Sequence, residues 1–244
     1  MYNLLISIAA AVVVFLVTKF AIGLSWLISP LPAMLVFLGV YFLIAKHVMK
    51  KVLAIIETAN RDLQGQRVDK AVRELQTAFK YGKWQFYVTG QINSQIGIIY
   101  YVKRDFTNAF PYLEKSFARN WVAMGMLAIT YMKRNKKGKM LETFEKTVRW
   151  NAKESLAWSL YAYCVNEGGD IGKAKEILSR GLKKIPGDER IAHNLEALKE
   201  GKKMKMKNYG DMWLQFHLEK QSVIMKQQQA AAFGGMAKRR TIRK

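Results

Sequence analysis

Apolar residues run almost unbroken from Leu4 to Ile28, with a single charge at Lys19, and again from Leu31 to Ala45, stopping at Lys46. Neither run alternates residue by residue, so the pattern predicts helices rather than strands. About 20 apolar residues cross a bilayer as a helix, which satisfies its own backbone polar groups in lipid. The connector Ser29-Pro30-Leu31-Pro32 holds two prolines in three residues, and Pro32 suits a first helical turn. A hairpin is therefore expected over residues 1–50, with spans of about 4–28 and 31–48. Lys46 and Lys50 can reach back to headgroups and lengthen the shorter second span. Trp26 falls near the connector, where an interfacial aromatic belongs. The plainer alternative is a buried helical hairpin in a soluble protein. A cleaved secretory signal is not expected, because Met1-Tyr2-Asn3 lacks a basic start and no small-residue cleavage pattern follows.

After the hairpin the period becomes helical and polar residues interleave with apolar ones. Self-similarity then stands out. Counted from Gly97, Ala128 and Ala162, matching residues fall at +3 (Tyr100, Tyr131, Val165), +12 (Ala109, Met140, Ala174), +16 (Leu113, Phe144, Leu178) and +19 (Ser116, Thr147, Gly181). The third copy opens on Trp158 and closes on Pro186; the first has neither, and the second carries Met140 where a small residue is usual. Turn signals separate the helices at Lys103-Arg104-Asp105, Asn135 to Gly138 and Gly168-Gly169-Asp170. This pattern resembles the tetratricopeptide repeat, whose period is about 34 residues. Each unit would be two antiparallel helices that approach closely through the small residues, with large residues filling the space to the next unit. Gly97, Tyr100, Ala109, Ala128, Tyr131, Trp158, Ala162, Ala174 and Pro186 are the expected repeat-packing residues.

Weaker copies flank these three. Ala59, Ala71, Leu75 and Ala78 keep the same offsets upstream. No Pro or Gly separates that unit from the second apolar run, so one long helix is expected to leave the bilayer and become the first repeat helix. Downstream, Asp188 to Lys199 reads as an amphipathic cap with Ile191, Leu195 and Leu198 on one face. The repeat domain is thus expected over 51–200. A basic linker and a helix from Tyr209 to Gln229, carrying Trp213 and Phe216, are expected within 201–229. A basic disordered tail is expected over 230–244. The expected fold is all-α: a transmembrane hairpin, a tetratricopeptide-type α-solenoid, a C-terminal helix and a basic tail. That layout is similar to the HemY-like inner-membrane proteins.

Charge adds orientation and partners. The chain of 244 residues has Lys+Arg 40 against Asp+Glu 18, a formal charge of +22, and Lys19 is the only charge before Lys46. Positive residues stay cytoplasmic, and the connector has none, so both termini are expected in the cytoplasm of an inner-membrane protein. Lys19 is expected to snorkel, since neither span holds an acidic partner. So large a charge attracts polyanions, most simply an anionic lipid leaflet, with nucleic acid as the alternative. Lys46, Lys50, Lys51, Lys238, Arg239 and Arg240 are the expected contacts. One cysteine, Cys164, excludes an internal disulfide.

No catalytic constellation is visible. His47, His193 and His217 are isolated, Cys164 reads as a small core residue, and Gly168-Gly169 is a turn, so no metal, cofactor or catalysis is expected. The family resemblance implies instead that the concave face of the first helices binds peptides or partner proteins. Its positions would be Gln91, Ser94, Ile98, Tyr101 and Val102; Val122, Gly125, Ile129, Met132 and Lys133; and Leu156, Ser159, Tyr163, Asn166 and Glu167. The Lys and Asn pattern by which chaperone-binding members clamp a C-terminal carboxylate is absent. Ile98, Tyr101, Ile129, Met132, Tyr163 and Asn166 would make a largely apolar face suited to a partner's amphipathic helix. The alternative occupants are the Tyr209–Gln229 helix and a second copy of the chain. Three functional readings follow: a membrane-anchored scaffold, a membrane tether for nucleic acid or ribosomes, and an accessory subunit assembling through its spans, with Ala9–Ala11 as a small-residue contact surface.

Overall fold

A computed structural model describes residues 1–219. The described chain consists of helices and connecting turns, without a strand. It divides into two compact units, residues 1–101 with 105–123, and residues 102–104 with 124 onward.

The first unit opens with α1 (Tyr2–Leu16), prolonged by a π-helical turn through Ala21. Gly23 then takes a left-handed backbone (φ 76°), which ends the helix. Ser29 closes the following turn by donating its hydroxyl to the Ser25 carbonyl at 3.0 Å. α2 begins at Pro30, whose missing N–H costs nothing in a first turn. The expected first span of 4–28 is therefore shortened at its end, and the turn precedes the two prolines. α1 together with its π-helical turn (Tyr2–Ala21), and α2, are each long and apolar enough to cross a bilayer, with only 11% of either apolar window buried. The face of α1 that is buried is small or polar: Asn3, Ser7 and Thr18. Ser7 and Thr18 turn their hydroxyls back to the helix's own carbonyls at 2.9 and 3.0 Å. Lys19 holds its ammonium 4.7 Å over the Trp26 ring, a cation–π contact between the end of α1 and the turn.

α2 continues without a break to Gln64, as the absence of Pro and Gly in the charged stretch requires. Its Val48, Val52 and Ala59 form one core with Ala71, Val72 and Leu75 of α3 (Val68–Thr77) and with Val88, Ile92 and Ile96 of α4 (Phe86–Val102). α5 (Phe106–Glu114) returns beside α4. The approach is close at Gly97, where a Cβ would lie 2.8 Å from Leu113 Cδ2. Tyr100 stacks on Tyr112 with ring centroids 5.9 Å apart.

The second unit takes most of α6 (Trp121–Lys133), then α7 (Lys137–Trp150), α8 (Ser155–Glu167), α9 (Ile171–Lys184) and α10 (Glu189–Lys199). Every residue of α8 from Ser155 to Ala162 is buried. Gly181 of α9 lies against the Trp158 ring, so that a Cβ there would meet it at 3.0 Å. Pro186, expected among the packing residues, is exposed. It sits beside left-handed Gly187 (φ 82°) in the turn before α10.

One backbone device recurs in both units. Gln66, Arg104, Asn135, Gly169 and Gly201 all have positive φ, between 57° and 85°. After each, the next residue donates its N–H to the carbonyl five positions back: Arg67 to Asp62, Asp105 to Tyr100, Lys136 to Tyr131, Asp170 to Val165 and Lys202 to Ala197. This bond and a left-handed residue close a helix C-terminus together. The first four left-handed residues each stand seven positions after Ala59, Gly97, Ala128 and Ala162. The residues at offsets 0, +12 and +16 of all four copies are buried. The spacing read in side chains is thus repeated in the backbone. Asp62 is the departure: it is a buried carboxylate where the other copies carry Tyr or Val, held by Arg67 at 2.9 Å and Lys70 at 3.3 Å.

Candidate partner-binding face

In the second unit, the residues implied as a binding face lie on α6 and α8, and part of that face is occupied by the chain itself. After α10 the chain crosses back as Met204-Lys205-Met206, with both methionines buried and the lysines outward. Asn194, buried on α10, fixes this strap by accepting the Lys205 N–H at 2.7 Å. A short 3-10 turn (Met206–Tyr209) and a single α-helical turn (Asp211–Leu214) follow, with positive φ at Gly210 (58°) and His217 (52°). A continuous helix from Tyr209 is therefore not formed through the described residues. The 209, 213, 216 spacing of aromatics is helical in sequence, but their seats on α6 and α8 override local propensity. The expected helix beyond Glu219, and Lys238, Arg239 and Arg240, lie outside the described residues.

Three aromatic side chains make the seat. The Tyr209 hydroxyl lies 2.9 Å from Ser155 Oγ and 2.7 Å from Ser159 Oγ. The Arg190 guanidinium lies 4.9 Å over the same ring. Burial, set against those two hydroxyls, holds the Tyr209 phenol above its ordinary pKa. Trp213 is 1% exposed, packs edge-on against Tyr163 at 4.9 Å, and donates its indole N–H to Glu219 Oε1 at 2.9 Å. Desolvation pushes the Tyr163 phenol up to about 12. Phe216 is fully buried beside Gly125: a Cβ at position 125 would lie 2.9 Å from Leu160 Cδ2 and 3.2 Å from Phe216 Cε1. Gly125, Ser159 and Tyr163 are three of the face positions implied by the sequence, and each meets this segment. Beside it a cleft of about 770 Å³ remains, walled by Tyr163, Asn166 and Trp213 and by Lys203, Lys205 and Lys207.

Of the six residues expected to line the face, Ile98 and Tyr101 lie in the first unit and the other four in the second. Tyr101 and Ile129 are fully buried. Phe106 stands edge-on to Tyr101 at 5.1 Å. Ile98, Met132, Tyr163 and Asn166 are half-buried. The packing residues Ala109, Ala128, Tyr131, Trp158, Ala162 and Ala174 are buried, and Tyr100 is half-buried. Sequence reasoning missed Tyr209 as the polar anchor; the pair Ser155 and Ser159, one helical turn apart on an otherwise apolar helix, was the available signal. It also missed Glu145, which takes a bidentate pair from Arg180 at 2.8 Å each and a hydrogen bond from the Tyr161 hydroxyl at 3.0 Å. Cys164 is buried, and desolvation pushes its thiol well up. Among the described residues no group of three or more His, Cys, Asp or Glu side chains could hold a metal ion. Comparison of the chain with protein-family models and with curated proteins gives no match.

Proposed function

We propose that this chain is a membrane-anchored scaffold of the tetratricopeptide type. α1 and α2 would span the inner membrane as a hairpin, with the helical repeats on the cytoplasmic side, and the face of α6 and α8 would receive a partner protein. The observation that carries this reading is the seating of Tyr209, Trp213 and Phe216 on Ser159, Tyr163 and Gly125. A surface that buries three aromatics from a short, mostly irregular segment has the chemistry to bury those of an amphipathic partner helix. The segment is then a built-in competitor: a partner must displace it, and its removal leaves the partner's seat empty. The row Lys203, Lys205 and Lys207 beside the cleft favours a partner segment with acidic residues next to its apolar ones.

The test is removal of residues 209 to 244 from the full membrane-anchored chain. Capture of a cytoplasmic partner in mild detergent should strengthen, and binding of a hydrophobic dye should rise. Loss of capture with flat dye binding would mean that the segment is itself the docking element and the face is no partner site.

A further inference from the structure

A second cavity lies in the first unit, where the apolar part of α2 gives way to charge. It measures about 400 Å³ and is lined on one side by Leu43, Ile44, His47, Val48 and Lys51 and on the other by Tyr81 and Trp84. The α2 residues recur at helical spacing and form one face. From Leu43 to Lys51 the helix climbs about 12 Å at 1.5 Å per residue. The lower wall is therefore hydrocarbon-like and the upper wall carries an imidazole and an ammonium. Trp84 is itself positioned by Tyr2 of α1, edge-on at 5.5 Å. Lys80 and Lys83 flank Tyr81 on the facing turn, and Lys46 and Lys50 flank His47 on α2. The ion pairs found among the described residues involve none of Lys46, Lys50 and Lys51.

We propose that this crevice binds one anionic phospholipid, with an acyl chain between Leu43, Ile44 and Trp84 and the phosphate against Lys51 and His47. The inference rests on the membrane-spanning reading of α1 and α2. Three features select this ligand. The crevice is continuous with the exposed apolar surface of α2, where Phe42 and Leu43 are 65% and 66% exposed, so a lipid chain reaches it without crossing water. Tyr and Trp with an apolar body and a polar edge are the side chains that settle at headgroup depth. Among the lining residues the two basic groups, His47 and Lys51, stand at the charged end of the α2 wall and none is acidic, which matches a headgroup with net negative charge and not a zwitterion. A cavity of this volume falls in the range of small-ligand sites.

The experiment is native mass spectrometry of the delipidated full chain in detergent, titrated with phosphatidylglycerol, phosphatidylcholine or glycerol phosphate. One phosphatidylglycerol should be retained preferentially, and glycerol phosphate should not compete. Lys51→Ala should weaken retention about fivefold, the effect of one surface cation near an anionic lipid, and Lys51→Arg should restore it. Trp84→Leu should weaken both lipids by loss of the aromatic wall. Equal retention of the two lipids, or full retention by Lys51→Ala, would overturn the proposal, and competition by glycerol phosphate would make the site one for a soluble phosphate. The membrane reading fails separately, if alkaline carbonate releases the full chain from membranes.

Discussion

At Gly97 there is no room for a side chain: a Cβ would stand 2.8 Å from Leu113 Cδ2 and 3.1 Å from the Leu113 backbone nitrogen. Because backbone cannot step aside as a flexible side-chain tip can, Gly97→Leu should destabilise by roughly 1–3 kcal/mol or more. Ala174→Leu, at a fully buried position on α9, should cost a similar amount. Both should lower the melting temperature more than any surface charge change, and unchanged melting would sink the assigned register. Left-handed turns carry the opposite signal. Arg104 holds φ 66° with a side chain that disfavours it, so Arg104→Gly should stabilise by about 0.5–1 kcal/mol, while Gly169→Ala should destabilise by about 1–2 kcal/mol. Denaturant midpoints of the two variants should move in opposite directions. Glu145 adds a pH dependence. The Arg180 hydrogen bonds hold its carboxyl below the ordinary 4.5, against the opposing effect of burial. A depressed carboxylate pKa contributes stability above 4.5 that is lost as pH falls through the folded value. Both partners are more than a third exposed, so the contribution is about 1 kcal/mol at most after screening. Glu145→Gln should flatten the acid side of the stability profile below that pH and leave its shape at neutral pH unchanged.

At the level of elements, α2 is one unbroken helix, from Pro30 in an apolar run to Gln64 before the left-handed turn at Gln66. Its apolar outer surface and its buried Val48, Val52 and Ala59 belong to the same helix. A proline at Met49 would remove a hydrogen bond and clash with the preceding turn, at a cost of about 3 kcal/mol or more. Met49→Pro should therefore unfold the α2–α3–α4 core and, on the proposed membrane-spanning reading, leave the hairpin in the bilayer, which limited proteolysis of membrane vesicles would read. The segment after α10 behaves differently. Its hold on α8 joins the Trp213–Tyr163 ring contact to a tyrosine hydroxyl shared by two serines. Tyr209→Phe would leave those buried hydroxyls unsatisfied and should weaken the seat by about 1–3 kcal/mol. Hydrogen exchange should rise across residues 204 to 216 with α8 itself still protected; uniform protection would mean that the aromatic packing alone holds the segment.

On the scale of the whole molecule, the orientation proposed for the chain rests on its charge distribution. Lys46 begins the basic part of the chain and the turn between α1 and α2 is uncharged apart from nearby Lys19. If both termini are cytoplasmic, a cysteine at Leu27, which is 89% exposed in that turn, should react with an impermeant reagent from outside, in a Cys164→Ala background. A cysteine at exposed Lys153 should not. The reverse pattern would refute the topology. The same charge predicts that the chain binds vesicles rich in anionic lipid more tightly at low salt, because exposed charges are screened within a Debye length. Tighter, strongly salt-dependent binding to RNA with weak binding to such vesicles would favour the tether reading instead.

Local patterns were enough to show two apolar helices, the continuous run of α2 into the first repeat-like unit, and the four-fold spacing of small residues that ends up buried. Each depends on periodicity along one helix, and a periodicity is legible without knowing what faces it. Tertiary structure decided what a linear pattern cannot express. The turn moved ahead of the prolines because Gly23 and Ser29 offered an earlier way out of the helix. Non-glycine residues at Gln66, Arg104 and Asn135 took left-handed backbone because the helices they close leave no other path. Tyr101 and Ile129, exposed by position, became core once neighbouring side chains closed over them. The aromatics at 209, 213 and 216 gave up a helix because burial against Ser159, Tyr163 and Gly125 outweighs the propensity of a short segment; that choice lies in the surface they meet, not in their own order along the chain.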